Sequence, residues 1–246
     1  FFGTLAVFLA PEPDDSDWLA RQAQLKSFAD TMREAVVEPF ADFMSKPFWV
    51  GLLAFVILYK FGDAIGGVMA NPFYNEMGFT GLEIASVTKV FGLVATLVGV
   101  AIGGILVAHW GLYKALIVGG ILQAVTNLCF AWLAYLGNDI TGLTIAIAAD
   151  NFTGGLGTTA FVAYLSSLCS PAYSATQYAL LTSFMAVGRT ILSASGGWLA
   201  DQMGWIEFFV VTTLLAVPGL LLLYLIMTYR KDVAPPKDHI SDTGEN

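Results

Sequence analysis

The chain has 246 residues, of which 57% are hydrophobic and only 12% are charged, with a mean hydropathy of +0.70. Soluble domains carry about 25% charged residues, so this composition predicts an integral membrane protein. The net charge of −8 argues against a nucleic-acid-binding protein, because such proteins need a basic patch and the sequence has none.

The chain begins with a short apolar run, Phe1–Ala10, which cannot span a bilayer and has no basic region before it. We interpret it as the end of a preceding transmembrane helix, which would make the sequence a fragment. Residues 11–46 form a polar linker. A helix cap at Ser16 and apolar residues at helical spacing predict an amphipathic helix, which ends near Glu38 because Pro39 cannot continue it. This helix can be a simple connector, dock on the rest of the protein or lie in the membrane interface.

Long apolar runs fill residues 47–230 and predict six transmembrane helices. The runs are Phe48–Ala70, Ile84–Ala108, Tyr113–Leu136, Ile140–Leu168, Ala175–Ala200 and Trp205–Tyr229. Turn-forming residues separate them, among them Asn71-Pro72, Gly78, Gly137-Asn138 and Gly204. The expected fold is an all-α integral membrane protein, and residues 231–246 are expected to be a disordered tail.

Most of the 11 Lys and Arg residues lie in the linker and the tail, whereas the connections at 71–83, 137–139 and 201–204 contain none. Lys and Arg favour the cytoplasmic side of a membrane. The sequence therefore predicts that the linker and the C-terminus are both cytoplasmic, as an even number of spans requires.

Several polar or charged residues lie inside the predicted spans, where a charge costs roughly 2.5–3.5 kcal/mol on insertion scales. Lys60 and Asp63 are three residues apart and share a helix face, either as a structural ion pair or as part of a coupling or substrate site. Lys89 can snorkel to the interface or have a functional role. Asp150 and Asn151 begin a polar face in the fourth span, and an acid there can carry a proton.

A polar stripe runs along the fifth span, where Tyr178, Thr182 and Arg189 fall within a narrow arc of the helix. Such a stripe faces a cavity or another helix rather than lipid. Arg189 can bind a carboxylate through two parallel hydrogen bonds. Contact between helices and a role in a cavity remain alternatives for this residue.

Small residues on one face allow close helix packing. The second span has Gly92, Gly99 and Gly103 at helical spacing, and the fourth has Gly154, Gly155 and Gly157. We do not interpret the second group as a phosphate-binding loop, because no Lys-Ser/Thr follows it and no strand precedes it.

Three longer stretches resemble the AmpG-type muropeptide permeases, a branch of the major facilitator superfamily related to the acetyl-CoA transporters. They are Leu58–Gly104, Asp150–Arg189 (beginning DNFTGGLGTTAF) and Gly196–Phe209 (GGWLADQMGWIEFF). The resemblance implies the C-terminal six-helix half of a twelve-helix transporter, with Pro11–Lys46 as its central cytoplasmic loop. It also implies import of anhydromuropeptides into the bacterial cytoplasm, across the inner membrane, driven by the proton gradient. The positions that match polar positions of the family are Lys60, Asp63, Lys89, Asp150, Asn151, Gln177 and Arg189.

Three functions remain open: a proton-coupled muropeptide importer, a related transporter of another solute such as an acyl-CoA or a peptide, and a membrane scaffold or sensor. An enzyme is least favoured, because no metal-ligand cluster, nucleophile–base pair or cofactor fingerprint is recognisable. The expected partners are a muropeptide, protons, the lipid bilayer and an N-terminal six-helix half, without which we expect no transport. The expected substrate and proton pathway consists of Lys60, Asp63, Lys89, Asp150, Asn151, Gln177, Tyr178, Thr182 and Arg189.

Overall fold

The computed structural model describes residues 33–233, and the regular structure in this range is helical. The helices are α1 Glu38–Met44, α2 Trp49–Leu58, α3 Phe61–Glu76, α4 Gly81–Val87, α5 Leu93–Trp110, α6 Leu112–Leu136, α7 Ile140–Leu168, α8 Ser174–Ser193, α9 Gly196–Gln202, α10 Trp205–Leu215 and α11 Val217–Val233. Shorter helical turns are Arg33–Val37 and Thr88–Gly92, which are π-helical, and Pro171–Tyr173, which is 3₁₀. The predictions for Phe1–Ala10, for the helix start at Ser16 and for the tail after residue 233 lie outside the described residues.

Within the described range, four segments are long and apolar enough to cross a membrane. They are Trp49–Glu76 (α2 and α3), Gly81–Trp110 (α4 and α5), Leu112–Leu136 (α6) and Trp205–Tyr229 (α10 and α11). These segments coincide with the first, second, third and sixth predicted spans. The fourth predicted span is the single helix α7, whose 29 residues exceed the roughly 20 that a bilayer needs. The fifth predicted span is interrupted by a turn at residues 194–195, between α8 and α9. A crossing by all six remains a prediction.

The turn predicted at Asn71-Pro72 is wrong, because α3 continues through Pro72 to Glu76. A proline inside a helix removes one backbone hydrogen bond, but the next side chain, Phe73, is fully buried. Its ring centroid lies 4.9 Å from that of Phe209, in an aromatic cluster that α6 and α10 complete. This packing keeps the chain helical beyond the proline. The chain turns later, at Gly78, whose φ of +83° favours glycine.

The predicted end of the linker helix near Glu38 is also wrong, because helical structure continues through Pro39 to Met44. Pro39 lies in the first turn of α1, where a backbone N–H has no partner within an α-helix, so its absence costs little. The helix docks on the rest of the protein, since Phe43 is 2% exposed and belongs to the same apolar cluster as Leu165.

Glycines bring α5 and α7 into direct backbone contact, as the spacing of small residues predicts. A Cβ atom on Gly103 would lie 2.8 Å from the carbonyl oxygen of Leu156, and one on Gly155 would lie 2.5 Å from that of Thr96. Neither position has room for a side chain. Gly154 differs, because no atom lies within 4 Å of the place its Cβ would occupy.

We expect Gly103→Val to lower the melting temperature of the protein in detergent much more than Gly104→Val. The neighbouring Gly104 is the matched control, since a Cβ there would meet no atom within 4 Å. Overfilling a tightly packed contact costs typically about 1–3 kcal/mol. Thermal unfolding of both variants, followed by circular dichroism, measures the difference. Equal melting temperatures would show that the α5–α7 contact does not limit stability.

Candidate functional site

A pocket of about 240 Å³ lies between α2, α3, α7 and α8. Its polar side chains are Lys60, Asp63, Thr158, Tyr178, Thr182 and Arg189. Its apolar wall includes Ile57, Phe61, Phe161, Met185 and Leu192. The structure thus brings five of the predicted site residues together and adds Thr158 to them. Residues 33–233 contain no group of three or more His, Cys, Asp or Glu side chains placed to hold a metal ion.

Lys60 and Asp63 form one charged side of the pocket. Lys60 lies at the break between α2 and α3. The neighbouring Tyr59 attaches this break to α6, because its hydroxyl donates a 2.8 Å hydrogen bond to the carbonyl oxygen of Leu116. The Lys60 Nζ is 3.6 Å from Asp63 Oδ2, so the two predicted partners form an ion pair. The same Nζ donates to Thr158 Oγ1 at 3.4 Å, which connects α7 to the pair. The Lys60 side chain is 15% exposed and that of Asp63 is 35% exposed, so the carboxylate is the more accessible charge.

Helix α8 supplies the opposite side through its predicted stripe of Tyr178, Thr182 and Arg189. The Thr182 hydroxyl donates to the backbone oxygen of Tyr178 at 2.9 Å, so it can still accept a hydrogen bond from a ligand. Arg189 is exposed, and within the described residues it forms no ion pair. An exposed guanidinium without a carboxylate partner in these helices is free to bind a ligand carboxylate.

The remaining predicted site residues do not line this pocket. Lys89 is exposed in the π-helical turn before α5. Asn151 lies where α7 meets α5, and its Oδ1 is 3.1 Å from Thr96 Oγ1. Gln177 is fully buried at the corner between α7 and α8, where it contacts the linker rather than the pocket.

Asp150 lies in α7, outside the pocket lining, and it is half-buried. The sequence places no cation within a turn of Asp150 on its own span, and within the described residues it forms no ion pair. Lys60 forms its ion pair with Asp63 instead.

A set of buried polar side chains on α6 and α7 was not predicted as functional. Gln123, Thr126 and Asn127 are 7%, 6% and 4% exposed, and they follow each other at helical spacing. Thr126 Oγ1 and Thr153 Oγ1 are 3.1 Å apart, and Thr153 is 3% exposed one turn beyond Asp150. Three polar residues on one face of an otherwise apolar helix are the signal that could have identified this set.

Comparison with known proteins assigns the family. Residues 51–245 match the model of the Major Facilitator Superfamily. The chain is 44% identical to "Putative transporter AmpG 4" of Rickettsia conorii over 193 residues, which cover 78% of this chain and 47% of that protein. It is 37% identical to the "Anhydromuropeptide permease" of Escherichia coli K12 over 220 residues, which cover 89% of this chain and 43% of that protein.

The chain therefore spans slightly less than half the length of these curated relatives. Its apolar helices are those of a multi-pass membrane protein. The family match covers most of the chain, including the helices that form the pocket. Together these findings show that the chain belongs to the major facilitator superfamily.

Proposed function

We propose that the chain is the C-terminal six-helix half of a proton-coupled transporter that imports anhydromuropeptides into the bacterial cytoplasm. The observation that carries this proposal is the pocket, which is lined both by the Lys60–Asp63 ion pair and by Arg189, a residue without an ion pair within residues 33–233. The family match and the similarity to a protein named anhydromuropeptide permease support the choice of substrate class.

The chemistry of the pocket suits a muropeptide. Such a substrate combines sugar rings, peptide groups and carboxylates. Arg189 can bind a carboxylate, and the hydroxyls of Thr158 and Tyr178 can exchange hydrogen bonds with sugar and peptide groups. The half-buried Phe61 offers a ring surface to the apolar face of a sugar.

A volume of about 240 Å³ is smaller than the roughly 300–1,000 Å³ typical of ligand pockets. Transporters of this architecture place their sites between two repeats near the middle of the membrane. The chain spans slightly less than half the length of its relatives. We therefore propose that a second six-helix half completes the site, and the intact transporter below means this chain joined to that half.

The proposed location is the bacterial inner membrane, with the linker and the C-terminus in the cytoplasm. The distribution of Lys and Arg supports this orientation, because the connections at 71–83, 137–139 and 201–204 contain neither residue. Single cysteines placed in these connections test the orientation. In intact cells they should react with a thiol reagent that does not cross the membrane.

Uptake by the intact transporter in proteoliposomes tests the function. The vesicles are given a pH gradient and one labelled solute at a time: an anhydromuropeptide, its free sugar, its free peptide or an acyl-CoA. We expect accumulation of the anhydromuropeptide alone, abolished by a protonophore. Accumulation of the acyl-CoA or of the peptide would favour a related transporter of another solute. Accumulation of none of them would refute the proposed function and favour a scaffold or sensor.

A further inference from the structure

Helix α1 is held at the corner between α7 and α8 through one buried amide. Gln177 is 0% exposed, and its Nε2 donates to Asp42 Oδ2 at 2.7 Å and to the carbonyl oxygen of Pro39 at 3.0 Å. Its Oε1 accepts a 2.7 Å hydrogen bond from the backbone N–H of Ser170. Because a backbone N–H can only donate, this bond fixes which end of the amide carries the oxygen.

The ionic contacts of α1 reinforce this attachment. The Ser170 hydroxyl also donates to Asp42 Oδ2, at 2.5 Å. Lys46 Nζ lies 3.9 Å from the same carboxylate oxygen and donates to the carbonyl oxygen of Leu168, at the end of α7. The hydrogen bonds from Ser170 and Gln177 lower the pKa of Asp42 below its ordinary value. The carboxylate is therefore charged at neutral pH, and its contribution to docking is lost only as the pH falls through that lowered pKa.

Undocking α1 would leave polar groups without partners in a buried site. If the Asp42 carboxylate or the Pro39 carbonyl group moves away, the buried amide of Gln177 loses a hydrogen-bond acceptor, which is costly. Phe43 would also lose its contacts with the apolar cluster that contains Leu165 and Leu181. These costs favour an attachment that persists while the two halves of the transporter move.

The attachment lies next to the pocket in both sequence and space. Gln177 is adjacent to Tyr178, which begins the stripe of pocket side chains on α8. Leu165 lines the pocket and belongs to the apolar cluster that buries Phe43. A shift of the corner would therefore move one side of the pocket relative to Lys60 and Asp63.

We propose that α1 is a permanent anchor, in which Asp42 and Gln177 fix the α7–α8 corner and so position Tyr178, Thr182 and Arg189 for substrate. Gln177 is thus a positioning residue, although the sequence places it among the pathway residues. The positioning part rests on the proposed function, whereas the docking part does not.

Exchanging the two partners tests the anchor in the intact transporter. Gln177→Glu hardly changes the shape of the side chain. It replaces the amide group that donates to the Asp42 carboxylate with a second carboxylate, which repels the first. Adding Asp42→Asn supplies an amide at position 42 that can donate to the new carboxylate at position 177. One hydrogen bond is thus restored with donor and acceptor exchanged, whereas the bond to Pro39 stays lost. Gln202→Glu is the matched control, because it makes the same change at an exposed position of α9.

Two measurements are made on each variant. Hydrogen–deuterium exchange of the peptide that contains α1 reports docking, and the substrate dependence of uptake reports positioning. We expect Gln177→Glu to speed exchange in α1 roughly tenfold and to raise the KM for uptake. The double variant should recover part of both effects, and Gln202→Glu should match the unchanged protein. In the unchanged protein, exchange in α1 should stay slow with and without substrate.

Unchanged exchange in Gln177→Glu would overturn the anchor. Fast exchange with unchanged uptake kinetics would overturn the positioning role, and exchange that rises when substrate is added would replace the permanent anchor with a releasable one. If the unchanged protein takes up no solute, the proposed function fails, while exchange still decides the docking. Labelling of Thr182→Cys by a small maleimide then replaces uptake as the measure of pocket geometry.

Discussion

Replacing Arg189 with lysine should lower anhydromuropeptide uptake at limiting substrate by roughly tenfold, and Arg189→Ala should lower it further. Lysine keeps the charge but loses the planar fork that binds a carboxylate through two hydrogen bonds. Truncating one partner of a buried charge pair costs about 2–5 kcal/mol. Arg189 is exposed in this chain, so we expect a smaller loss, near the roughly 1.4 kcal/mol that corresponds to tenfold.

Initial uptake rates over a range of substrate concentrations measure this loss. Arg33→Lys is the matched control, because Arg33 is exposed and lies outside the pocket lining. A substrate whose carboxylates are amidated separates binding from folding. The unchanged transporter should take up this amidated substrate poorly, and Arg189→Ala should lower its uptake little further. Normal uptake by both Arg189 variants would reduce the residue to a packing role.

Helical periodicity predicts the side chains that α8 contributes to the pocket. The three-residue spacing of Lys60 and Asp63 also predicts their ion pair, although Lys60 lies at the break before α3. Residues three, four or seven apart share a helix face whatever the rest of the fold does. Tyr178, Thr182 and Arg189 therefore line one pocket, as the stripe predicts. Close packing of α5 on α7 follows from glycine spacing for the same local reason.

Contacts between distant parts of the chain could not be predicted in this way. The partners of Gln177 on the linker lie 135 and 138 residues away, so its burial against α1 has no local signal. The hydrogen bond from Lys60 to Thr158 joins residues 98 positions apart, so it has no local signal either. Local rules also failed at Pro39 and Pro72, where context decides whether a helix continues.

The ion pairs distinguish Asp63 from Asp150, the two acids of the expected substrate and proton pathway. Asp63 forms an ion pair with Lys60, whose Nζ is 3.6 Å from its Oδ2. Within the described residues, Asp150 forms no ion pair. An unpaired acid at membrane depth is costly when ionised. Its protonation can therefore respond to a change in conformation, and we propose Asp150 as the coupling acid in this half.

Asp150→Asn should abolish accumulation driven by a pH gradient while leaving exchange of internal and external substrate. Asparagine mimics the protonated acid, so the substrate cycle can continue although no proton is carried. Asp63→Asn should lower both activities, because it removes the ion-pair partner of Lys60 at the pocket wall. Accumulation under an imposed pH gradient and counterflow without one, in the same proteoliposomes, separate the two outcomes. An Asp150→Asn transporter that still concentrates substrate with normal pH dependence would move the coupling role to Asp63 or to the other half.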